Sequence, residues 1–94
     1  MTKLYKNIII PIILKHIPNA TIILYGSRAK GTNKQGSDID IALNVGEKID
    51  RNKIIAINSD LDESQLPIKF DIVDIYSVSE DLRKEILKHG ITWK

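Results

Sequence analysis

Two aspartates separated by one residue, Asp38 and Asp40, open a strongly apolar stretch of this 94-residue chain. From Ile39 to Val45, apolar side chains occupy every second position, which is typical of a β-strand with one buried face. Because side chains alternate between the faces of a strand, both carboxylates point the same way, with Cβ atoms roughly 6.6 Å apart. Like charges on one face repel each other, so the pair predicts a site for a cation.

The residues before this pair form a second unusual segment. The β-branched and aromatic run Thr21–Tyr25 predicts a buried strand, which ends at Gly26 and Ser27. Glycine permits a positive φ and a close approach of the backbone to a ligand, and amide groups in such a turn can bind phosphate oxygens. Arg28 adds a positive charge. We therefore predict a polar loop from Gly26 to Ser37 beside the two aspartates, although a Gly-Ser turn alone is more often an ordinary loop.

A third carboxylate comes from residues 68–76, whose composition predicts another strand. Asp71 lies on one face of this strand and Asp74 on the other, so only one of them can join Asp38 and Asp40. The spacing does not decide between them. Three carboxylates from adjacent strands would supply the oxygen ligands that Mg²⁺ or Mn²⁺ prefers.

The remaining patterns predict helices packed on a small sheet. Pro11 interrupts the first helical pattern, so the helix either bends there or begins there. The short connection between the first two strands indicates a partly antiparallel, mixed sheet. Besides the three strands, we predict helices over about residues 2–17, 50–64 and 77–89, the last with Ser77 or Ser79 as its cap, and a short edge strand at 91–93. The fold class is α+β, in a single domain spanning residues 1–94.

Composition excludes several classes of protein. Fourteen Lys and Arg against twelve Asp and Glu give a net charge of +2, which is too small to indicate nucleic-acid binding. The absence of cysteine excludes a disulfide or a thiolate metal site. The apolar run of residues 8–14 is far shorter than the roughly 20 residues that cross a membrane. We expect a cytoplasmic protein without a membrane partner.

The segments Gly26–Gly31 (GSRAKG) and Ser37–Ile41 (SDIDI) together resemble the signature of the DNA polymerase β-like nucleotidyltransferases. More narrowly, the chain resembles the minimal nucleotidyltransferases, or MNT proteins, that act as antitoxins in HEPN/MNT pairs. The resemblance extends over nearly the whole chain, and it implies the polymerase β palm-like fold. It also implies that Asp71 is the third carboxylate of the site.

The same resemblance implies roles for the site residues. Asp38, Asp40 and Asp71 would be the catalytic residues and would bind two divalent metals, Mg²⁺ or alternatively Mn²⁺. The nucleotide-binding residues would be Gly26, Ser27, Arg28 and Ser37, with ATP as the substrate.

A partner protein is implied as well. Larger relatives carry a helical region for the acceptor, and we expect a small all-helical HEPN protein to supply it in a hetero-oligomer. The resemblance implies that the chain acts as an antitoxin and transfers AMP from ATP to a tyrosine of this HEPN toxin. The alternatives are a catalytic subunit that acts on a small molecule or an RNA end, and an antitoxin that neutralises its partner by binding alone.

Overall fold

The computed structural model describes residues 2–32 and 38–94, and it describes side chains from Leu4 onwards within those ranges. Its helices are α1 (Thr2–His16), α2 (Ser27–Lys30), α3 (Arg51–Glu63) and α4 (Glu80–His89). Its strands are β1 (Thr21–Tyr25), β2 (Ile39–Asn44), β3 (Phe70–Asp74) and β4 (Ile91–Thr92). No helix in these ranges is long and apolar enough to cross a membrane.

The four strands form one mixed sheet in the order β3-β2-β1-β4. Strand β1 pairs antiparallel with both β2 and β4, whereas β2 and β3 run parallel. The parallel ladder is bracketed by two backbone hydrogen bonds, from Ile39 N–H to the Lys69 carbonyl (2.9 Å) and from Ile75 N–H to the Leu43 carbonyl (3.0 Å). The predicted α+β class, the mixed sheet and the edge strand are therefore confirmed.

Each face of the sheet carries its own apolar cluster, as the alternation along β2 predicts. Ile39, Ile41 and Leu43 are fully buried on the face covered by α1 and α3. Ala42 points to the opposite face, where Ile86 of α4 packs over it. The aspartates of β2 share this second face, because they occupy the same alternate positions as Ala42.

Helix α1 continues through Pro11, so the alternative in which a shorter helix begins at this proline is wrong. An interior proline costs about 3 kcal/mol because it removes a backbone hydrogen bond. Ile9 and Ile13, on either side of it, are both fully buried. Burial of such a side chain contributes about 1.5–3 kcal/mol, so the two anchors offset the proline.

Candidate active site

The register of the sheet places two of the predicted acidic residues side by side. Asp40 of β2 pairs with Tyr25 of β1 on one side and with Asp71 of β3 on the other. Asp38 lies just before β2, two residues from Asp40 and therefore toward the same face. Asp38 and Asp71 are exposed, whereas Asp40 is half-buried between the neighbouring strands.

Asp74 has a different environment, on the opposite face of β3. Its carboxylate is buried, with 5% of the residue exposed. The side chain accepts hydrogen bonds from Ile49 N–H (2.9 Å), Tyr76 N–H (3.0 Å) and the Ser77 hydroxyl (3.0 Å). The bond from Ile49 ties the end of β3 to the segment before α3, and the other two fix the turn that follows β3. Asp74 is thus a structural residue, and Asp71 is the one that lies beside Asp40.

Negative charge accumulates along this row of residues. Burial raises the pKa of Asp40 above its ordinary value, and the nearby charges of Asp71 and Asp38 raise it further. The pKa of Tyr25 is raised to about 12, first by burial and then by Asp40 and Asp71. The phenol therefore stays protonated at neutral pH and can donate a hydrogen bond at the edge of the acidic face.

The described residues contain no group of three or more Asp, Glu or His side chains that is already close enough together to hold a metal ion. Asp40 pairs with Asp71 in the sheet and interacts electrostatically with both Asp71 and Asp38, but the three carboxylates do not form a preorganised metal site. Their chemistry nevertheless fits a divalent cation, because carboxylate oxygens are the ligands of Mg²⁺ and Mn²⁺. A cation would also relieve the repulsion that raises the pKa of Asp40.

The turn after β1 approaches the acidic face closely. Gly26 has φ 77° and ψ −154°, a conformation that residues with a side chain rarely adopt. A Cβ atom at Gly26 would lie 2.5 Å from Oδ2 of Asp40, which is too close for a real contact. The backbone conformation therefore favours glycine here, and a side chain at this position would also displace the carboxylate of Asp40.

The segment after Gly26 is a short helix rather than the loop that the sequence predicts. Helix α2 spans Ser27–Lys30 and ends at Gly31 in the left-handed conformation. The carbonyl of Ser27 accepts a hydrogen bond from Thr32 N–H at 2.9 Å, which closes the turn. Four residues are too few to show helical periodicity, so the composition of this segment predicted a loop.

The predicted nucleotide-binding residues are only partly placed by the structure. Gly26 and Ser27 form the turn beside Asp40, and Arg28 is half-buried in α2 with an interaction of its own. Ser37 lies outside the described residues. Two cavities, of about 410 and 380 Å³, open elsewhere, near the end of β2 and along β3, and none of the three aspartates lines either.

Two side-chain contacts between helices could not be predicted from the sequence. Lys30 of α2 pairs with Glu85 of α4, with 2.5 Å between Nζ and Oε1. His16 at the end of α1 lies 2.6 Å from Asp60 of α3, measured from Nε2 to Oδ2. Each contact joins residues more than 40 positions apart, which no periodic pattern relates.

The mixed sheet, the acidic strand face and the Gly-Ser turn beside it define a nucleotidyltransferase-type domain. Comparison with known families agrees with this class. The chain belongs to the family described as Polymerase beta, Nucleotidyltransferase, whose sequence profile matches residues 7–92.

Among curated proteins, the chain is similar to the protein adenylyltransferase MntA of Shewanella oneidensis. The two are 33% identical over 91 residues, which cover 96% of this chain and 65% of the relative. The chain therefore spans just under two thirds of the length of this relative.

Among solved structures, the chain resembles one chain of a toxin–antitoxin complex with AMP-PNP, with a TM-score of 0.79 and 31% identity. That match covers 95% of this chain and 72% of the other chain. It also resembles a chain in the complex of the tri-AMPylated Shewanella oneidensis HEPN toxin with its MNT antitoxin, with a TM-score of 0.76 and 28% identity. This second match covers 100% of this chain and 72% of the other.

Proposed function

We propose that this chain catalyses metal-dependent transfer of AMP from ATP to a tyrosine hydroxyl of a HEPN toxin, and that it acts as the antitoxin of that pair. The observation that carries the proposal is the pairing of Asp40 with Asp71 across parallel strands, with Gly26 packed against Asp40. Two similarities support the reaction and the acceptor: one relative is a protein adenylyltransferase, and one structural neighbour is the MNT antitoxin in complex with a tri-AMPylated HEPN toxin. Because ATP is the donor, we place the reaction in the cytoplasm.

The residues of this chain would divide the work as follows. Asp38, Asp40 and Asp71 would hold two Mg²⁺ ions, which when bound neutralise phosphate charge and lower the pKa of an attacking hydroxyl. Backbone amides of the turn at Gly26 and Ser27 would hold the phosphates, together with Arg28 and Ser37. Positioning and electrostatics would thus supply most of the rate enhancement.

The proposed reaction is a displacement at the α-phosphorus of ATP. The acceptor oxygen forms a bond to the α-phosphorus of ATP, and the bond from that phosphorus to the pyrophosphate oxygen breaks. The proton of the acceptor hydroxyl passes to the exposed carboxylate of Asp71, which lies beside Asp40. The products are the adenylylated hydroxyl and pyrophosphate.

Exposed apolar side chains on α1 support a protein partner. Leu4 and Ile8 are 65% and 42% exposed, and they lie four residues apart on one side of the helix. Two exposed apolar side chains on one side of a helix are compatible with a small contact surface for a protein partner. The partner that we propose is the helical HEPN protein.

The test combines the purified chain, its HEPN partner, Mg²⁺ and ATP, followed by mass spectrometry of the partner. We expect one or more additions of AMP to a tyrosine, and none with Asp38→Asn or Asp40→Asn. Transfer to RNA or to a small molecule without modification of the partner would contradict the proposed acceptor. Neutralisation of the toxin that survives loss of both aspartates would show that binding alone suffices.

A further inference from the structure

An ion pair connects the turn beside the acidic face to the helix on the same side of the sheet. Nζ of Lys30, the last residue of α2, lies 2.5 Å from Oε1 of Glu85 in the middle of α4. The hydrogen bond from Lys30 is the main cause that lowers the pKa of Glu85 below its ordinary value. The two side chains are 48% and 42% exposed, so the pair lies at the surface.

The backbone of the turn connects Lys30 to the acidic face. The N–H of Lys30 donates to the carbonyl of Gly26 at 3.2 Å, and Gly26 packs against the carboxylate of Asp40. A continuous series of contacts therefore runs from Glu85 through Lys30 and Gly26 to Asp40.

Helix α4, which carries Glu85, is held against the rest of the fold by several contacts. Ile86, the neighbour of Glu85, is fully buried against the sheet. Nε of Arg83 donates to the carbonyl of Ile75 at 2.9 Å, and Gly90 ends the helix against Ile23 and Leu24 of β1. These contacts hold α4, and with it the backbone of Glu85, in place on the sheet.

We propose that Glu85 is a positioning residue that holds the Gly26–Gly31 turn, through Lys30, in the conformation that receives the nucleotide phosphates. The role in nucleotide binding rests on the function proposed above, whereas the effect on the turn does not. Since half-exposed ion pairs contribute little, we expect changes of about two- to fivefold rather than complete loss.

The first test needs no substrate. Exchange of the Lys30 and Thr32 amide protons, which both close the turn by hydrogen bonds, is followed by NMR in Glu85→Gln. The matched control is Glu80→Gln, because Glu80 pairs with Lys84 on the same helix at 3.5 Å and lies at its beginning. We expect exchange about two- to fivefold faster in Glu85→Gln and unchanged in Glu80→Gln. Equal exchange in the two variants would overturn the proposal.

A double-mutant cycle separates the pair from other effects of Glu85. If the residue acts through Lys30, Glu85→Gln has no further effect on Thr32 exchange once Lys30→Gln is present. Additive effects of the two substitutions would show that Glu85 does not act through Lys30.

The second test is kinetic. With ATP as the varied substrate, Glu85→Gln raises KM about two- to fivefold and leaves kcat within about twofold, while Glu80→Gln behaves as wild type. Unchanged KM in an active Glu85→Gln variant would contradict the role in nucleotide binding. An inactive wild-type protein would instead contradict the proposed function, and amide exchange would still decide whether Glu85 positions the turn.

Discussion

At the scale of single residues, the charge of Asp40 has a direct effect on stability. Its pKa is raised by burial and by two acidic neighbours, so the folded chain binds this proton more tightly than the unfolded chain does. The contribution of Asp40 to stability is therefore greatest below its ordinary pKa of 3.8, and it is lost as the pH rises through the raised value. At neutral pH without a cation, the charged Asp40 destabilises the fold.

Replacing this charge is expected to stabilise the metal-free protein. Asp40→Asn keeps the shape of the side chain and removes the repulsion, so Tm at pH 7 in EDTA rises, by no more than about 4 °C because the group is partly exposed. Thermal unfolding followed by circular dichroism measures the change. Asp62→Asn, an exposed substitution at the end of α3, is the control and should leave Tm unchanged. A lower Tm in Asp40→Asn would contradict this account of the charge.

Gly26 is expected to tolerate no side chain. In Gly26→Ala the strained backbone conformation costs about 1–3 kcal/mol, and the new methyl group displaces the Asp40 carboxylate as well. Gly46→Ala is the matched control, because Gly46 also has a positive φ (82°) but nothing lies within 4 Å of its Cβ position.

Both glycine variants should therefore unfold at lower urea concentration, and only Gly26→Ala should also lose nucleotide binding. Urea titration and calorimetric titration with AMP-PNP and Mg²⁺ measure the two effects. Nucleotide binding that is equally weakened in both variants would show that the contact with Asp40 does not matter.

The period of two along a strand explains which of these residues the sequence could predict. Asp38 and Asp40 share a face because they are two positions apart, and no knowledge of the fold is needed to see this. The approach of Gly26 to Asp40 was not predictable, because it depends on the antiparallel register of β1 against β2. The spacing of Asp71 and Asp74 did not decide between them, because it does not show which of the two side chains is buried.

At the scale of elements, β3 carries two aspartates with opposite roles, and two matched substitutions separate them. Asp74→Asn weakens three hydrogen bonds to a buried carboxylate and should lower the free energy of unfolding by about 2 kcal/mol or more. Asp71→Asn alters an exposed side chain and should change it by no more than about 0.5 kcal/mol.

Activity should show the reverse order for the two β3 variants. Asp71→Asn removes a proposed ligand and should abolish AMP transfer, while Asp74→Asn should retain it at temperatures where the fold persists. Urea unfolding and the transfer assay together test the assignment. A severe loss of stability in Asp71→Asn would indicate that its side chain is structural.

Helices α1 and α3 are joined by His16 and Asp60, with Lys15 3.8 Å from the same carboxylate oxygen. The hydrogen bond from His16 is the main cause that lowers the pKa of Asp60. This contact therefore contributes stability above the ordinary pKa of 3.8, and the contribution is lost as the pH falls through the lowered value.

Asp60→Asn should accordingly reduce stability at pH 6, and the difference from wild type should shrink as the pH falls below 3.8. Urea unfolding at several pH values gives the measurement, with the exposed Asp62→Asn as the control. A difference that stays constant down to pH 2.5 would show that the charge of Asp60 does not stabilise the helix pair.

The longer elements were predictable for a simple physical reason. Strand β2 and helices α3 and α4 each bury one stripe or face, and this burial leaves a periodic pattern in the sequence. Helix α2 leaves none, because it is a single turn set between Gly26 and Gly31 and linked to α4 by the pair of Lys30 with Glu85. Its conformation depends on contacts that distant parts of the chain provide.

At the scale of the whole molecule, the two clusters on the sheet separate stability from chemistry. Helices α1 and α3 bury most of one face, whereas α4 covers Ala42 and Ile23 on the other and leaves Asp40 half-buried and Asp71 exposed. The acidic end of the sheet thus combines a rigid strand register with access to solvent. A ligand that contacts Asp40, Asp71 and the turn after β1 would bridge three elements and would therefore stabilise the whole fold.

This bridging leads to a prediction for the wild-type protein. If AMP-PNP with Mg²⁺ binds the folded chain and not the unfolded one, a hundredfold excess over Kd adds about 2.7 kcal/mol to the free energy of unfolding. In a domain of this size that corresponds to a rise in Tm of roughly 10 °C or more. Thermal unfolding should show this rise when both components are present, and a much smaller rise with AMP-PNP and EDTA.

The doubly substituted Asp38→Asn, Asp40→Asn protein provides the matching comparison. It lacks two of the three proposed ligands, so Mg²⁺ and AMP-PNP together should leave its Tm nearly unchanged, even though its metal-free Tm exceeds that of wild type because the repulsion at Asp40 is gone. A ligand effect of the same size in both proteins would mean that the nucleotide binds away from the acidic face. The two opposite changes, a higher metal-free Tm and a lost response to ligand, are both expected if the same carboxylates destabilise the metal-free fold and hold the cation.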